Sequence, residues 1–190
     1  MPPGSGLGGG SSNAACILKG LTQLYNLNIS LNDLLKIGSL IGADVPFFIK
    51  GGCQIGSGIG DQLVKVDHSI KNIFLLIMPD IHIGTKTTFK KFKKILDRNK
   101  EKVNFANFIE KDKFLFKFFE NDFETIVVPA YPEIGKIKKK LLSYGAIFSS
   151  LSGTGSTVYG VFDDEAKAIF AESLFKVHYK TCIAHPVKIV

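Results

Sequence analysis

Apolar residues recur at three- and four-residue intervals near the start of the chain, at Ile17, Leu18, Leu21, Leu24 and Tyr25. That spacing predicts a helix opening near Asn13. A second helix is predicted from Ser30, with Leu31, Leu34, Leu35 and Ile41 as its apolar face, Asp33 as an imperfect capping-box partner and Gly42 as its stop. Asp44-Val45-Pro46-Phe47-Phe48 begins another element, with the proline placed for a first helical turn. Alternation and glycines over residues 53–66 predict a hairpin. The six apolar residues Ile73 to Met78 predict a buried strand ending at Pro79.

Beyond that strand the pattern predicts helices over 85–96, 105–119 and 133–144, the last closed by Gly145. Strands follow over 146–150 and 158–162, then a helix through Phe175 and a strand over 181–189. From Lys71 the order is thus β-α-α-α-β-β-α-β, an α+β arrangement of helices on an antiparallel sheet. A division into two parts is expected near Lys71, giving residues 1–70 and 71–190.

Composition changes this picture little. Hydrophobic residues make up 45% and charged residues 22% of the 190, which suits a folded chain and argues against disorder. No apolar run approaches the ~18 residues of a membrane span. The opening Pro, Gly and Ser occupy the place where a signal peptide carries charge and then an apolar stretch. Cys16, Cys53 and Cys182 are odd in number and widely spaced, so buried free thiols in a reducing cytoplasm are expected. The formal charge of +7 could serve nucleic acid, an anionic membrane or a phosphorylated substrate. Its lysines fall in helical patterns, at Lys90, Lys91, Lys93 and Lys94 and at Lys136, Lys138, Lys139 and Lys140, where solvated helix faces account for them. No nucleic-acid or membrane partner is expected.

The chemistry lies in the glycines. Pro3-Gly4-Ser5-Gly6-Leu7-Gly8-Gly9-Gly10-Ser11-Ser12-Asn13 runs straight into the first helix. Glycines let backbone N–H groups converge on a ligand without a Cβ in the way, and a helix start adds unpaired donors and a positive dipole end. That combination suits a polyphosphate. Gly4, Gly6 and Gly9 formally match G-x-G-x-x-G, but no strand precedes them, and Asp33, the nearest acidic partner, lies in a helical pattern. Gly10 is followed by Ser11 with no lysine, so the loop is not a Walker A. A plain Gly/Ser linker would not continue into Ser-Ser-Asn-Ala-Ala and an amphipathic helix. Asp44, judged locally, is either a helix cap or a proton acceptor.

Three segments then carry a resemblance. Pro2 to Ala15 is similar to the second motif of the GHMP kinases, and its Gly-Gly-Gly-Ser-Ser-Asn-Ala-Ala looks like the version in the diphosphocytidyl-methylerythritol kinases. Gly42-Ala43-Asp44-Val45-Pro46-Phe47-Phe48, followed by Gly51-Gly52, resembles that family's G-A-D-V-P-F-F. Leu151-Ser152-Gly153-Thr154-Gly155-Ser156-Thr157-Val158-Tyr159-Gly160-Val161-Phe162 resembles the third motif, a second glycine loop between strands.

The resemblance implies a GHMP kinase fold, with an incomplete N-terminal part like ribosomal protein S5 domain 2 before a ferredoxin-like α/β sandwich. It implies transfer of the ATP γ-phosphoryl, with Mg²⁺, to the 2-hydroxyl of a cytidine diphosphate methylerythritol in isoprenoid precursor synthesis. ATP would lie against Pro2, Pro3, Gly4, Ser5, Gly6, Leu7, Gly8, Gly9, Gly10, Ser11 and Ser12, and against Gly153, Thr154, Gly155 and Ser156. Ser12 would approach the metal, Asp44 would be the base and touch substrate, and Ile59 and Phe89 would contact the cytosine end. The alternatives are another GHMP small-molecule kinase, or a non-catalytic nucleotide-binding remnant. Family members carry strands and a catalytic lysine upstream of the phosphate loop. No lysine here matches it, Lys19 and Lys36 being expected on solvated helix faces, so the chain is expected to be a fragment. The face of Ile17, Leu18, Leu21 and Leu24 would meet a sheet built largely by those upstream strands.

Overall fold

The computed structural model describes residues 4–58, 60, 62–66, 70–84, 88–89, 109–110 and 113–187. These form two compact units, one of residues 8–69 and one in which the segment up to Leu7 joins residues 70–187.

In the first unit, α1 (Gly9–Leu24), α2 (Leu31–Ile41) and α3 (Val45–Lys50) precede a hairpin of β1 (Gln54–Ser57) and β2 (Gln62–Lys65). Helix α1 starts four residues before the expected Asn13. Gly8 takes a left-handed φ of 64° as its cap, which turns the chain into the helix among the glycines themselves. Helix α2 begins as expected: the Asp33 N–H donates to Ser30 Oγ at 3.1 Å, and the Ser30 hydroxyl donates to Asp33 Oδ2 at 2.7 Å. That hydroxyl, with Lys36 beside it, holds the Asp33 carboxyl below its ordinary pKa. Gln54 Nε2 closes α3 by donating to the Phe47 and Gly51 carbonyls.

The core of this unit is small, with Ala15, Leu34, Val45 and Ile49 buried and Leu18, Leu35 and Phe48 packed against them. Gly38 lets α2 close on α3, since a Cβ there would lie 2.7 Å from Ile49 Cδ1. Ile17, Leu21 and Leu24 on α1, and Leu31 and Ile41 on α2, stay exposed. Only part of each predicted apolar face is therefore buried within the unit.

The second unit is built on a four-stranded antiparallel sheet, β6-β7-β3-β8, from β3 (Ile73–Met78), β6 (Phe148–Leu151), β7 (Val158–Phe162) and β8 (Lys180–Ala184). In chain order this is 2-3-1-4, the ferredoxin-like arrangement. Ile73, Leu75 and Ile77 point to one face and are buried under α5 (Pro132–Ser143) and α6 (Glu165–Phe175), through Ile134, Ile137, Leu141, Ala168, Ala171 and Phe175. On the opposite face Phe116 stacks on Phe148 at 6.0 Å and meets Phe74 edge-on at 6.3 Å, with Tyr159 alongside. Both faces are thus apolar, which explains why β3 is an unbroken apolar run rather than an alternating one. Helix α5 ends at Gly145 with φ 97°, and the Ala146 N–H reaches back to the Leu141 carbonyl. Ile137 is 1% exposed between helix and sheet. Truncating it to alanine is expected to cost about 2–5 kcal/mol in a denaturant melt.

Three expectations need correction. The stretch 109–119 is not α-helical in its described residues: β4 (Ile109–Glu110) pairs with β5 (Lys113–Phe114), and a 3₁₀ turn covers Phe116–Phe118. The aromatic contacts of Phe116 with Phe74 and Phe148 accompany this short turn in place of an α-helix. A short helix α4 (Glu124–Ala130) precedes α5 where no element was expected. Of the unpaired thiols, Cys16 and Cys182 are exposed rather than buried, and burial of Cys53 pushes its thiol up. The helix expected over 85–96, with the lysines of 90–94, falls mostly outside the described residues, though Thr88 and Phe89 are helical. No helix among the described residues is long and apolar enough to cross a membrane.

Candidate active site

In the first unit, the N–H groups of Gly9, Gly10 and Ser11 precede the first intrahelical bond of α1, which Ser12 N–H makes to the Gly8 carbonyl at 2.9 Å. No acidic side chain stands in that turn to neutralise the dipole. A Cβ on Gly10 would meet nothing within 4 Å among the described residues, so their packing does not require glycine there. The hydroxyls of Ser11 and Ser12 are partly exposed and find no partner among the described residues. The turn leading to α3 runs alongside: a Cβ on Gly42 would lie 4.0 Å from Ser11 Oγ. Asp44 follows at the N-cap position of α3, exposed, and its side chain caps no backbone N–H. The capping alternative for Asp44 is therefore not realised in the structure.

In the second unit, two glycine loops lie against each other. The Thr157 N–H donates to the Ser5 carbonyl at 3.1 Å, and Ser152 Oγ donates to the Gly6 carbonyl at 2.9 Å. Gly6 has φ 78°, and a Cβ there would stand 2.1 Å from the Ser152 carbonyl oxygen. Only glycine permits so close an approach. Ser5, Thr154, Ser156 and Thr157 are buried polar residues around this junction. The Ser156 hydroxyl donates to the Pro79 carbonyl at 3.3 Å, so its side chain is turned inward. The structure thus joins Gly4 to Leu7 with Gly153 to Ser156, which are about 150 residues apart in sequence.

Phe89 is half exposed, with its ring edge-on to Phe123 at 4.8 Å. Pro2, Pro3 and Ile59 lie outside the described residues. Among the described residues no three of His, Cys, Asp and Glu gather as a metal cage. A Mg²⁺ held mainly by phosphates and water, with one protein hydroxyl, is still compatible with the free hydroxyl of Ser12.

Sequence reasoning passed over one cluster beside the second loop. Glu124 Oε1 accepts hydrogen bonds from Ser150 Oγ and the Leu151 N–H, each at 2.8 Å, and its other oxygen pairs with Lys138. Lys138 is thus not one of the solvated lysines of α5. Burial raises the Tyr159 phenol, partly offset by its hydrogen bond with Ser150, with the Glu124 carboxylate nearby adding to the rise. Asn121 stands at the head of the same turn. The signal was available as Asn-Asp-Phe-Glu before an apolar run, an acid three residues after a capping type.

Comparison with known proteins agrees with this layout. Residues 1–52 match the GHMP kinases N terminal domain, and residues 90–179 match the GHMP kinases C terminal domain. The chain belongs to the GHMP kinases. Within that class it is similar to proteins named 4-diphosphocytidyl-2-C-methyl-D-erythritol kinase. One, from Geobacter sulfurreducens, is 35% identical over 93% of the chain and 62% of the relative. Another, from Syntrophus aciditrophicus, is 39% identical over 92% and 62%, and a third, from Pelodictyon phaeoclathratiforme, is 37% identical over 98% and 66%. The chain therefore spans somewhat under two thirds of the first two relatives' length. A crystal structure of 4-(cytidine 5'-diphospho)-2C-methyl-D-erythritol kinase superposes with a TM-score of 0.81 at 22% identity, over 96% of this chain and 66% of that one. Homoserine kinase from Cytophaga hutchinsonii gives 0.63 at 16%, over 97% and 66%. Those likenesses establish the GHMP kinase fold.

Proposed function

We propose that the protein transfers the γ-phosphoryl group of ATP to the 2-hydroxyl of 4-diphosphocytidyl-2-C-methyl-D-erythritol, in the cytoplasm, on the way to isoprenoid precursors. The observation that carries this is the identity of 35–39% to proteins of that name, spread over nearly the whole chain. Residues 1–70 act as part of the ATP-binding domain and 71–190 as the C-terminal domain.

In this proposal ATP is held through residues 2–12 and 153–156. The phosphates draw on backbone N–H groups, on the first turn of α1 and on the hydroxyls of Ser11 and Ser12. Mg²⁺, when bound, neutralises charge developing on the phosphates, and Ser12 is its protein contact. Asp44 accepts the proton of the attacking hydroxyl. Its exposure and its lack of a capping bond support that role. Ile59 and Phe89 contact the cytosine end.

The test is an ATP-coupled assay of the full-length gene product against three alcohols: the cytidine diphosphate methylerythritol, homoserine and mevalonate. We expect kcat/KM for the first to exceed the others by about a hundredfold or more. Comparable or greater turnover of homoserine or mevalonate would replace this proposal with another GHMP kinase activity.

A further inference from the structure

Asn121 lies outside both glycine-rich segments, yet its side chain holds one of them. Its Nδ2 donates to the Leu151 carbonyl at 2.8 Å and to the Gly153 carbonyl at 2.7 Å, while Oδ1 accepts the Phe123 N–H at 3.0 Å. Both amide hydrogens are engaged. The orientation of the amide is also determined, because a flip would set Oδ1 against two carbonyl oxygens. Gly153 adopts φ 56°, a conformation that ordinary side chains resist. In a trans peptide the C=O and N–H point in opposite directions, so a Gly153 carbonyl held toward Asn121 turns the Thr154 N–H to the other side of the loop.

Glu124 fixes the strand that enters the loop through Ser150 and Leu151, and is itself held by Lys138 of α5. On the far side of the loop, Ser152 Oγ holds the Gly6 carbonyl. A continuous path of hydrogen bonds and backbone thus runs from Asn121, through the second glycine loop, to the first.

We propose that Asn121, backed by Glu124, is a positioning residue for nucleotide binding. It sets the attitude of residues 152–156 and, through Ser152, that of the loop at Gly6. The inference rests on the reading of these loops as ATP-binding segments. It predicts a selective defect, because the Asn121 side chain donates directly to the nucleotide loop, whereas it reaches Phe89 only through the backbone N–H of Phe123 and a ring contact.

The experiment compares Asn121→Ala and Asn121→Asp in the full-length gene product. Asn121→Asp keeps the shape but faces two carbonyls with a carboxylate. The KM for ATP is expected to rise roughly tenfold in Asn121→Ala and further in Asn121→Asp, with the KM for the alcohol within about twofold of the parent. The Asn121→Asp defect should shrink as pH falls toward the ordinary carboxyl pKa of about 4, where protonation restores one donor. Amide hydrogen exchange should quicken at residues 4–7 and 152–156 and stay unchanged in β7. A residue with a merely structural role would lower the melting temperature and the active fraction while leaving both KM values alone. An ATP KM within twofold of the parent in either folded variant overturns the inference and leaves the functional reading intact. A parent protein that binds no ATP overturns the functional reading itself, and this is visible before any variant is made.

Discussion

Replacing Asp44 with asparagine will lower turnover by about a hundredfold or more while moving the melting temperature little. The expected size follows from removing the proton acceptor that the proposed reaction assigns to Asp44, a contribution of roughly 10²–10⁴ in rate. The expected stability follows from the structure. Asp44 is exposed at the start of α3 and caps no N–H, so the amide leaves no bond broken. KM values should hold, since asparagine keeps the size and polarity of the side chain. Activity within a few-fold of the parent would leave Asp44 with no part in proton transfer.

The second large effect separates two glycines that look alike in the sequence. At Gly6 even an alanine is excluded: its Cβ would stand 2.1 Å from the Ser152 carbonyl oxygen and 2.9 Å from that of Gly155, at φ 78°. Backbone atoms cannot rotate aside, so Gly6→Ala is expected to cost about 2–3 kcal/mol in a denaturant melt and to weaken ATP binding with it. Gly10 is the contrast. It has open space around it, so Gly10→Val should melt within about 1 kcal/mol of the parent yet lose ATP affinity, measured by calorimetry. Gly8 would be a poorer probe, because its φ is 64° and a Cβ would press the Phe48 ring at 2.8 Å. If Gly10→Val binds ATP as the parent does, the first turn of α1 is not a phosphate site.

These contrasts indicate what was legible beforehand. Features set by neighbouring residues could be read directly: the Ser30 cap, the Gly145 stop, the run Ile73 to Met78 and the hairpin after Gly52. The glycine segment before α1 could be read as a phosphate-binding candidate from its own residues, whereas the loop over 153–156 was proposed for that role only through the family resemblance. What could not be read depends on contacts between distant segments. Phenylalanines at 105, 108, 116 and 119 fit a helix, whereas those at 114, 116 and 118 fit an extended chain. The structure follows neither throughout: Lys113–Phe114 is strand, and Phe116–Phe118 is a 3₁₀ turn that packs Phe116 on Phe74 and Phe148. Lys138 belongs to a basic helix face by spacing, and only its closeness to Glu124 sets it apart. Ser156 looks like a phosphate ligand by motif, yet its hydroxyl is turned to the Pro79 carbonyl.

The pairing of Ser5 with Thr157 and of Gly6 with Ser152 also bears on how the protein is made. The first glycine loop leaves the ribosome long before its partner. At about 5–20 residues per second, the intervening stretch takes roughly 8–30 s to synthesise. Throughout that interval the loop has no backing for its carbonyls, and closing so long a span carries an entropic cost that local helices do not share. Helix α1 and the small core around Ala15 can form early, whereas the junction of the two loops must come among the last steps. A ribosome-bound chain stalled before residue 152 would therefore carry its most recognisable motif intact and still lack the packed junction found in the finished molecule.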